Sequence, residues 1–211
     1  YNMIVKKMPI LQGFPAPDTV KFLSSTELKL SEFIPVFYDI ETTGLSRYST
    51  FVYLIGAIRW EDDQWILTQW FGESPEEEAL IIREFTNYLQ DSTYTIQYNG
   101  DRFDQPYLEE RCRKNELPSP FEGLASIDVY QVLKSCQSLF KLSRMKQPDL
   151  ENLFPSMHRT YCDGGQCIRL YRSYMKKKDP KALETVLGHN QEDLHGLGLV
   201  FTLLSYRSLY L

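Results

Sequence analysis

IPVFYDIETTGL, residues 34–45, begins as an apolar run and ends in two carboxylates and a turn. The β-branched and aromatic residues up to Ile40 predict a short buried strand. Because side chains two residues apart on a strand point to the same side, Asp39 and Glu41 project together at its end. Two carboxylates about 4 Å apart repel by roughly 4 kcal/mol at an effective dielectric constant near 20. The pair indicates a metal ion, a shared proton or basic partners; two exposed acids at a frayed strand end are the alternative.

The elements predicted around this strand indicate one mixed α/β domain. The hydrophobic pattern predicts further strands at 51–60, 64–71, 93–98 and 126–129, and helices at 74–90, 105–115 and 181–206. This order favours a sheet with helices packed on its faces. Residues 1–34 lack clear periodicity and contain Gly13-Phe14-Pro15-Ala16-Pro17, so an extended N-terminal lead-in is expected before a single domain over 35–211.

Two later motifs add acidic residues. In Tyr98-Asn99-Gly100-Asp101-Arg102-Phe103-Asp104, the turn pair Asn-Gly follows a predicted strand and Asp104 lies where the next helix begins. An acid at that position is also favoured by the helix dipole, so capping is the structural alternative. His189 and Asp193 are four residues apart and share one face of a predicted helix, where a simple hydrogen bond is the alternative.

Charge is distributed unevenly along the chain. The net charge of −5 argues at first against a phosphate-bearing partner. Residues 131–178, however, carry ten basic and three acidic residues, a net charge of +7. The ten basic residues of this basic segment are Lys134, Lys141, Arg144, Lys146, Arg159, Arg169, Arg172, Lys176, Lys177 and Lys178. Some of them are expected to contact phosphate, with a solvated helical face as the alternative.

Other sequence features bear on location and on metal type. No apolar run approaches the roughly 18 residues of a membrane-spanning helix, and residues 1–3 show no secretory pattern, so a cytoplasmic protein without a membrane partner is expected. Cys112, Cys136, Cys162 and Cys167 form no CxxC pair, which disfavours a zinc site or a disulfide framework. Cys162 and Cys167 are expected to be structural.

The three motifs together resemble those of a known family. Asp39-x-Glu41, Asn99-Gly100-x-x-Phe103-Asp104 and His189-x-x-x-Asp193, in this order, resemble the DEDD exonucleases of the ribonuclease H-like superfamily. The chain is most similar to the YprB-type exonuclease family, because YLIGA at 53–57, IDVY at 127–130 and HNQEDL at 189–194 also match. The resemblance covers roughly residues 35–205.

The resemblance implies a fold and a metal centre. The expected fold is an α/β, ribonuclease H-like domain with a five-stranded mixed sheet, the second strand antiparallel to the rest, and helices on both faces. The four acids Asp39, Glu41, Asp104 and Asp193 would hold two Mg²⁺ or Mn²⁺ ions, which prefer oxygen ligands. We expect substrate contacts at Thr42, Asn99 and Phe103; the alternative for Phe103 is a place in the core.

His189 combines two patterns of the superfamily. Members with a catalytic histidine place it five residues before the last Asp, which is Gly188 here, whereas members with a tyrosine place it four before, which is His189. We therefore hypothesise that His189 orients or deprotonates the attacking water. The expected activity is 3′→5′ exonucleolytic cutting of single-stranded DNA or RNA ends. A catalytically weak nucleic-acid-binding module and a small-nucleotide phosphohydrolase are the alternatives.

Overall fold

A computed structural model describes residues 3–10, 12–161 and 164–209 of the chain. The strands are β1 Ile4–Pro9, β2 Pro35–Thr42, β3 Val52–Glu61, β4 Gln64–Phe71, β5 Tyr94–Gln97 and β6 Ala125–Asp128. The helices are α1 Pro17–Ser25, α2 Glu78–Leu89, α3 Asp104–Lys114, α4 Val129–Lys134, α5 Gln137–Phe140, α6 Gln147–Glu151, α7 Gly164–Lys177 and α8 Pro180–Phe201, with 3-10 turns at Pro75–Glu77 and Thr202–Leu209.

The strands form one mixed sheet in the order β1-β4-β3-β2-β5-β6. β3 runs antiparallel to β2 and β4, while β5 and β6 run parallel to β2, so the expected antiparallel second strand is confirmed. The expected number of five strands is wrong, because β1 from the N-terminal lead-in pairs with the outer edge of β4. β1 is held at this edge by backbone hydrogen bonds, and its mostly exposed side chains give no hydrophobic pattern from which the strand could be predicted.

Helices cover both faces of the sheet, as expected. On one face, Tyr38 and Ile40 of β2 pack with α2 and α3. On the other, Phe37 packs with residues of α8, including Leu194 and Leu197. Because side chains alternate along β2, Asp39 lies on the same side as Phe37, towards α8. The buried strand β2 thus ends with its acids beside α8, the helix that carries His189 and Asp193.

Local boundaries depart from the predictions where packing and capping differ from simple patterns. Pro75 begins a 3-10 turn rather than the α-helix itself, and Ser74 makes no side-chain capping bond. The last helix ends at Phe201 and continues as a 3-10 turn. Across the described residues, no helix combines the length and apolar character needed to cross a bilayer. Cys112, Cys136 and Cys167 are buried, and Cys162 lies outside the described residues.

Candidate active site

The four predicted acids line one open pocket of about 520 Å³. Asp39 and Glu41 come from the end of β2, Asp104 is the first residue of α3, and Asp193 lies on α8. One carboxylate oxygen from each of Asp39, Glu41 and Asp193 lies within 4.8 Å of the others. Three elements that are distant in sequence therefore bring their carboxylates to one place.

Asp104 is tied to the strand that carries the first pair of acids. Its Oδ1 accepts a hydrogen bond from the Ile40 amide at 3.3 Å, between Asp39 and Glu41. The sequence predicted a helix start near this residue, and the acid at the N-terminus of α3 is favoured by the helix dipole. A favourable interaction with the helix dipole and a place in the pocket are thus compatible for Asp104, whose side chain is buried.

His189 lies between two acids of the pocket. Its Nε2 is 3.3 Å from Glu41 Oε1 and 3.1 Å from Asp193 Oδ2. The imidazole is buried, and its Nδ1 makes no hydrogen bond among the described residues. The Sγ of Cys167 is also near, within 4.8 Å of ligand atoms of Glu41 and His189. His189 and Asp193 are four residues apart on α8, so they lie on one face of the helix, as the sequence indicated.

A row of residues across three strands positions Asp39. Asp39 is opposite Gly56 on β3, and Gly56 is opposite Gln69 on β4. Asn190 of α8 spans this row: its Nδ2 donates to Asp39 Oδ2 at 2.9 Å, and its Oδ1 accepts from Gln69 Nε2 at 2.8 Å. A side chain on Gly56 would place its Cβ 2.0 Å from Asn190 Oδ1, so only glycine leaves room for this contact.

Arg159 supplies a positive charge to the pocket. It precedes α7, and its Nη1 lies 2.6 Å from Asp193 Oδ1. Its Nε and Nη2 donate to the two oxygens of Glu151 at 2.6 and 2.7 Å. Glu151 is only 2 % exposed, so the guanidinium is held from behind by a buried carboxylate on α6.

Burial and neighbouring charges raise the pKa values of Asp39, Glu41 and Asp104. Burial, then the charges of Asp193, Asp104 and Glu41, hold the pKa of Asp39 well above its ordinary range, against the opposing hydrogen bond from Asn190. Burial, then Asp193 and Asp104, raises the pKa of Glu41 in the same way. Burial raises the pKa of Asp104 to about 7, although two backbone hydrogen bonds oppose the shift. Such a group of carboxylates is stabilised by positive charge, which a bound cation supplies.

The predicted substrate contacts occupy different places. Phe103 lines the acidic pocket beside Asp104. Asn99, with a φ of 58°, lines a neighbouring cavity of about 550 Å³ together with Arg102 and Lys146. Thr42 is buried, and its hydroxyl donates to the carbonyl of Gly44 at 2.8 Å, so it shapes the turn after β2.

The basic segment spreads around the pocket. Besides Arg159, Lys146 lines the neighbouring cavity. Arg172 of α7 donates to the carbonyl of Thr43 at 3.1 Å, next to the turn after β2. Lys178 instead pairs with Glu73 at 3.0 Å. The segment therefore contributes positive charge inside the pocket, at the neighbouring cavity and at the turn after β2.

Sequence reasoning missed the roles of Asn190, Glu151 and Arg159. Asn190 stood inside the matched HNQEDL string, directly after His189, but its direction depends on the exact rotation of α8 over the sheet. Glu151 was one of three acids in a strongly basic segment, and that contrast was the available signal for a buried partner of an arginine. The sequence does not indicate which arginine Glu151 binds.

Comparison with known proteins agrees with this fold. Residues 36–205 match the family model of the RNase H superfamily. An uncharacterized protein of Bacillus subtilis (strain 168), YprB, is 27 % identical over 167 residues, which cover 76 % of this chain and 39 % of that protein. The chain thus spans about two fifths of the length of this curated relative.

Two solved structures share the fold at low identity. The family B DNA polymerase of the hyperthermophilic archaeon Pyrobaculum calidifontis superposes with a TM-score of 0.67 at 18 % identity, over 83 % of this chain and 25 % of the polymerase. Escherichia coli exonuclease I in complex with a dT13 oligonucleotide gives 0.52 at 14 % identity, over 85 % of this chain and 43 % of the other. With the family match over most of its length, the chain belongs to the RNase H superfamily.

Proposed function

We propose that the protein is a metal-dependent nuclease that hydrolyses phosphodiester bonds. The observation that carries this proposal is the convergence of Asp39, Glu41, Asp104 and Asp193, from three separate elements, on one open pocket. A fold gains nothing from gathering four buried or half-buried carboxylates unless cations or protons compensate their repulsion. Two of the superposed structures bear the names of a nuclease and a polymerase, which agrees with the proposal.

The donor set fits divalent cations of the Mg²⁺ type. All four side chains offer hard oxygen ligands. Burial first, and then the charges of neighbouring carboxylates, raise the pKa values of Asp39, Glu41 and Asp104, so a bound cation would offset the cost of ionising them. We assign two Mg²⁺ or Mn²⁺ ions to these acids. When bound, such ions supply an activated water and neutralise charge on the leaving oxygen.

His189 is proposed to orient or deprotonate the attacking water. Its Nε2 already faces the pocket between Glu41 and Asp193, so a water held by those acids lies within its reach. A His189→Ala variant is expected to lose at least tenfold in cleavage rate while it retains metal binding. A smaller loss with metal binding intact would remove this role.

The substrate is proposed to be a single-stranded end of DNA or RNA, cut in the 3′→5′ direction. The direction rests on the resemblance to DEDD exonucleases, and a single strand is the ligand printed for exonuclease I. Phe103 in the pocket and Asn99 in the adjoining cavity are two proposed contacts to the terminal nucleotides. Thr42, whose hydroxyl shapes the turn after β2, is the third.

Oligonucleotides labelled at the 5′ end and incubated with Mn²⁺ or Mg²⁺ test the proposal. A ladder that shortens from the 3′ end, absent in EDTA and in the Asp39→Asn variant, is expected. The variant Asp91→Asn, which changes an exposed acid after α2, serves as the matched control and should cut normally. A circular single strand of the same composition should stay intact, since it has no end.

Two results would redirect the proposal. Intact strands in every lane, with Mn²⁺ binding confirmed by calorimetry, would favour a binding module of the same fold. Hydrolysis of a mononucleotide ester together with intact long strands would favour a small-nucleotide phosphohydrolase. The DNA and RNA versions of one sequence, compared at equal concentration, decide the preferred polymer.

A further inference from the structure

Among the described residues that line the acidic pocket, Arg159 is the one Lys or Arg side chain. A pocket with four carboxylates repels a phosphodiester, so any fixed positive charge inside it matters for binding. Metal ions compensate the acids and help to orient a phosphate, and a side chain that donates to a non-bridging oxygen would add a second fixed contact. The guanidinium group is suited to that task, since it is planar and presents several donors in a fixed arrangement.

The guanidinium is built into the wall of the pocket. Glu151 accepts hydrogen bonds from Nε and Nη2 of Arg159, and it accepts a third from Gln147 Nε2 at 2.8 Å. A side chain at Gly196 on α8 would place its Cβ 1.8 Å from Glu151 Oε1, so the helix is shaped to admit this carboxylate. Burying such an ion pair gives little net stability, and its geometry therefore calls for another explanation.

The neighbouring backbone fixes the same segment. Glu192 of α8 accepts hydrogen bonds from the amides of Thr160 and Tyr161 at 2.6 and 3.1 Å. The ring of Tyr161 fills the space that a side chain at Gly188 would occupy, with atoms 2.3 Å from the position of that Cβ. The two residues that follow Arg159 thereby fix it beside α8, although its segment has no regular secondary structure.

Donors remain after these contacts are counted. Arginine has five N–H groups, and among the described residues Arg159 uses one each from Nε and Nη2 on Glu151 and one from Nη1 on Asp193. The side chain is 21 % exposed, and it lines the pocket. Two N–H groups are therefore available on the side of the guanidinium that faces away from Glu151.

We propose that Arg159 is a catalytic residue that binds a non-bridging oxygen of the phosphate to be cleaved, and that Glu151 is the positioning residue that orients it. This inference rests on the proposed function and names a substrate contact of the same site. Arg159 interacts with Asp193 in the metal-free protein, and it holds substrate when the acids are occupied by cations. The charge of the pair Arg159–Glu151 is zero overall, so the fold keeps a local donor without a net basic patch.

Three variants separate this role from a structural one. Arg159→Lys keeps the charge but loses the planar pair of donors. Glu151→Gln leaves the arginine without its charged anchor, and the double variant Glu151→Gln/Arg159→Gln removes both buried charges together, so that neither is left unpaired. Arg83→Lys and Arg83→Gln, on the exposed side of α2, are the matched controls. Cleavage rate, Mn²⁺ affinity and thermal midpoint are measured for each.

The expected result is a loss in kcat/KM of about 100-fold for Arg159→Lys and for the double variant, with Mn²⁺ affinity unchanged. Glu151→Gln should lose about tenfold, because the guanidinium remains but is poorly oriented. A loss of Mn²⁺ affinity that accounts for the loss of rate would overturn the inference, because Arg159 would then only position Asp193. Rates equal to wild type would overturn it as well.

Binding of an uncut strand distinguishes this inference from the proposed function. In Ca²⁺, the affinity for a single-stranded oligonucleotide is measured against salt concentration. Loss of one phosphate contact should lower the slope of log K against log salt by about 0.7 in the double variant and leave it unchanged in Arg83→Gln. If wild type cuts no strand, the proposed function fails, yet this slope still decides whether Arg159 contacts phosphate. An unchanged slope overturns the contact.

Discussion

Asn190 on α8 donates a hydrogen bond to Asp39 on β2 at 2.9 Å, across 151 positions of sequence. The amide is fully buried, and its oxygen is in turn fixed by Gln69. The contact joins the helix that carries Asp193 to the strand that carries the first two acids. Groups that orient metal ligands in this way commonly affect metal affinity and activity almost as strongly as the ligands themselves.

The first prediction concerns this contact. Asn190→Ala should reduce Mn²⁺ affinity and cleavage rate by about 10–100-fold, because Asp39 loses its orienting partner. Calorimetric titration with Mn²⁺ and a strand-cleavage assay check the two effects. Asn87→Ala, at an exposed position of α2, is the control and should behave as wild type. Wild-type affinity in Asn190→Ala would show that Asp39 is held without the amide.

The second prediction concerns the space opposite Asp39. Gly56→Ala should destabilise the protein by roughly 1–3 kcal/mol, because the new methyl group meets Asn190 Oδ1 and Leu194 Cδ1 and pushes α8 from the sheet. Mn²⁺ affinity should fall in parallel. Denaturant unfolding and metal titration measure both quantities.

Gly123→Ala is the comparison for that variant. Gly123 has a φ of 77° and nothing within 4 Å of a new Cβ, so only the backbone cost of about 1–2 kcal/mol applies. Its Mn²⁺ affinity should equal that of wild type. If both glycine variants lose metal affinity equally, general destabilisation rather than displacement of Asn190 is responsible.

The third prediction is a pH dependence of the metal-free protein. The pKa of Asp104 is about 7 in the folded protein, against about 3.9 in an unfolded chain. The folded state binds this proton more tightly, so the resulting stability is present below pH 3.9 and is lost as pH rises through 7. In EDTA, the free energy of unfolding should therefore fall by on the order of 1–3 kcal/mol between pH 5 and pH 8. A thermal midpoint that stays constant between pH 5 and pH 8 would contradict the raised pKa of Asp104.

The fourth prediction isolates Asp104. In EDTA at pH 8, Asp104→Asn should melt about 2–6 °C above wild type, since the variant removes a buried charge and keeps an oxygen for the Ile40 amide. At pH 5 the two proteins should differ little. The variant should also lose most of the rise in melting temperature that Mn²⁺ gives wild type. Asp91→Asn should show neither effect.

The sequence predicted which acids lie together better than it predicted the edge of the sheet. β2 was foreseeable because its apolar and β-branched residues match a buried strand, and its acids follow at strand spacing. The meeting of Asp104 and Asp193 with that pair was expected from the resemblance. In contrast, β1 is an edge strand with exposed side chains, so no alternation of burial marks it. Its position depends on backbone hydrogen bonds that any residue can make.

The fold and the contacts of the basic segment could not be predicted from the sequence pattern either. Before α7, the segment folds into the short helices α4 to α6, which are joined by irregular turns, and such pieces show no sustained period. Arg159 lies in one of these turns, so its approach to Asp193 depends on Glu151 and on the amides bound by Glu192. The contacts with Asp193 and Glu192 are long-range pairings, which form only when α8 is in place.

The edge strand β1 has a consequence for how the molecule behaves among its copies. It satisfies the backbone groups of β4 from Phe71 to Ile66, which would otherwise form an open row of donors and acceptors. The new outer edge then displays Lys6 and Lys7 and ends at Pro9, a residue that cannot donate. Charge and proline thereby protect this edge against the addition of further strands, so removal of residues 3–10 should turn the exposed β4 edge into a template for self-association.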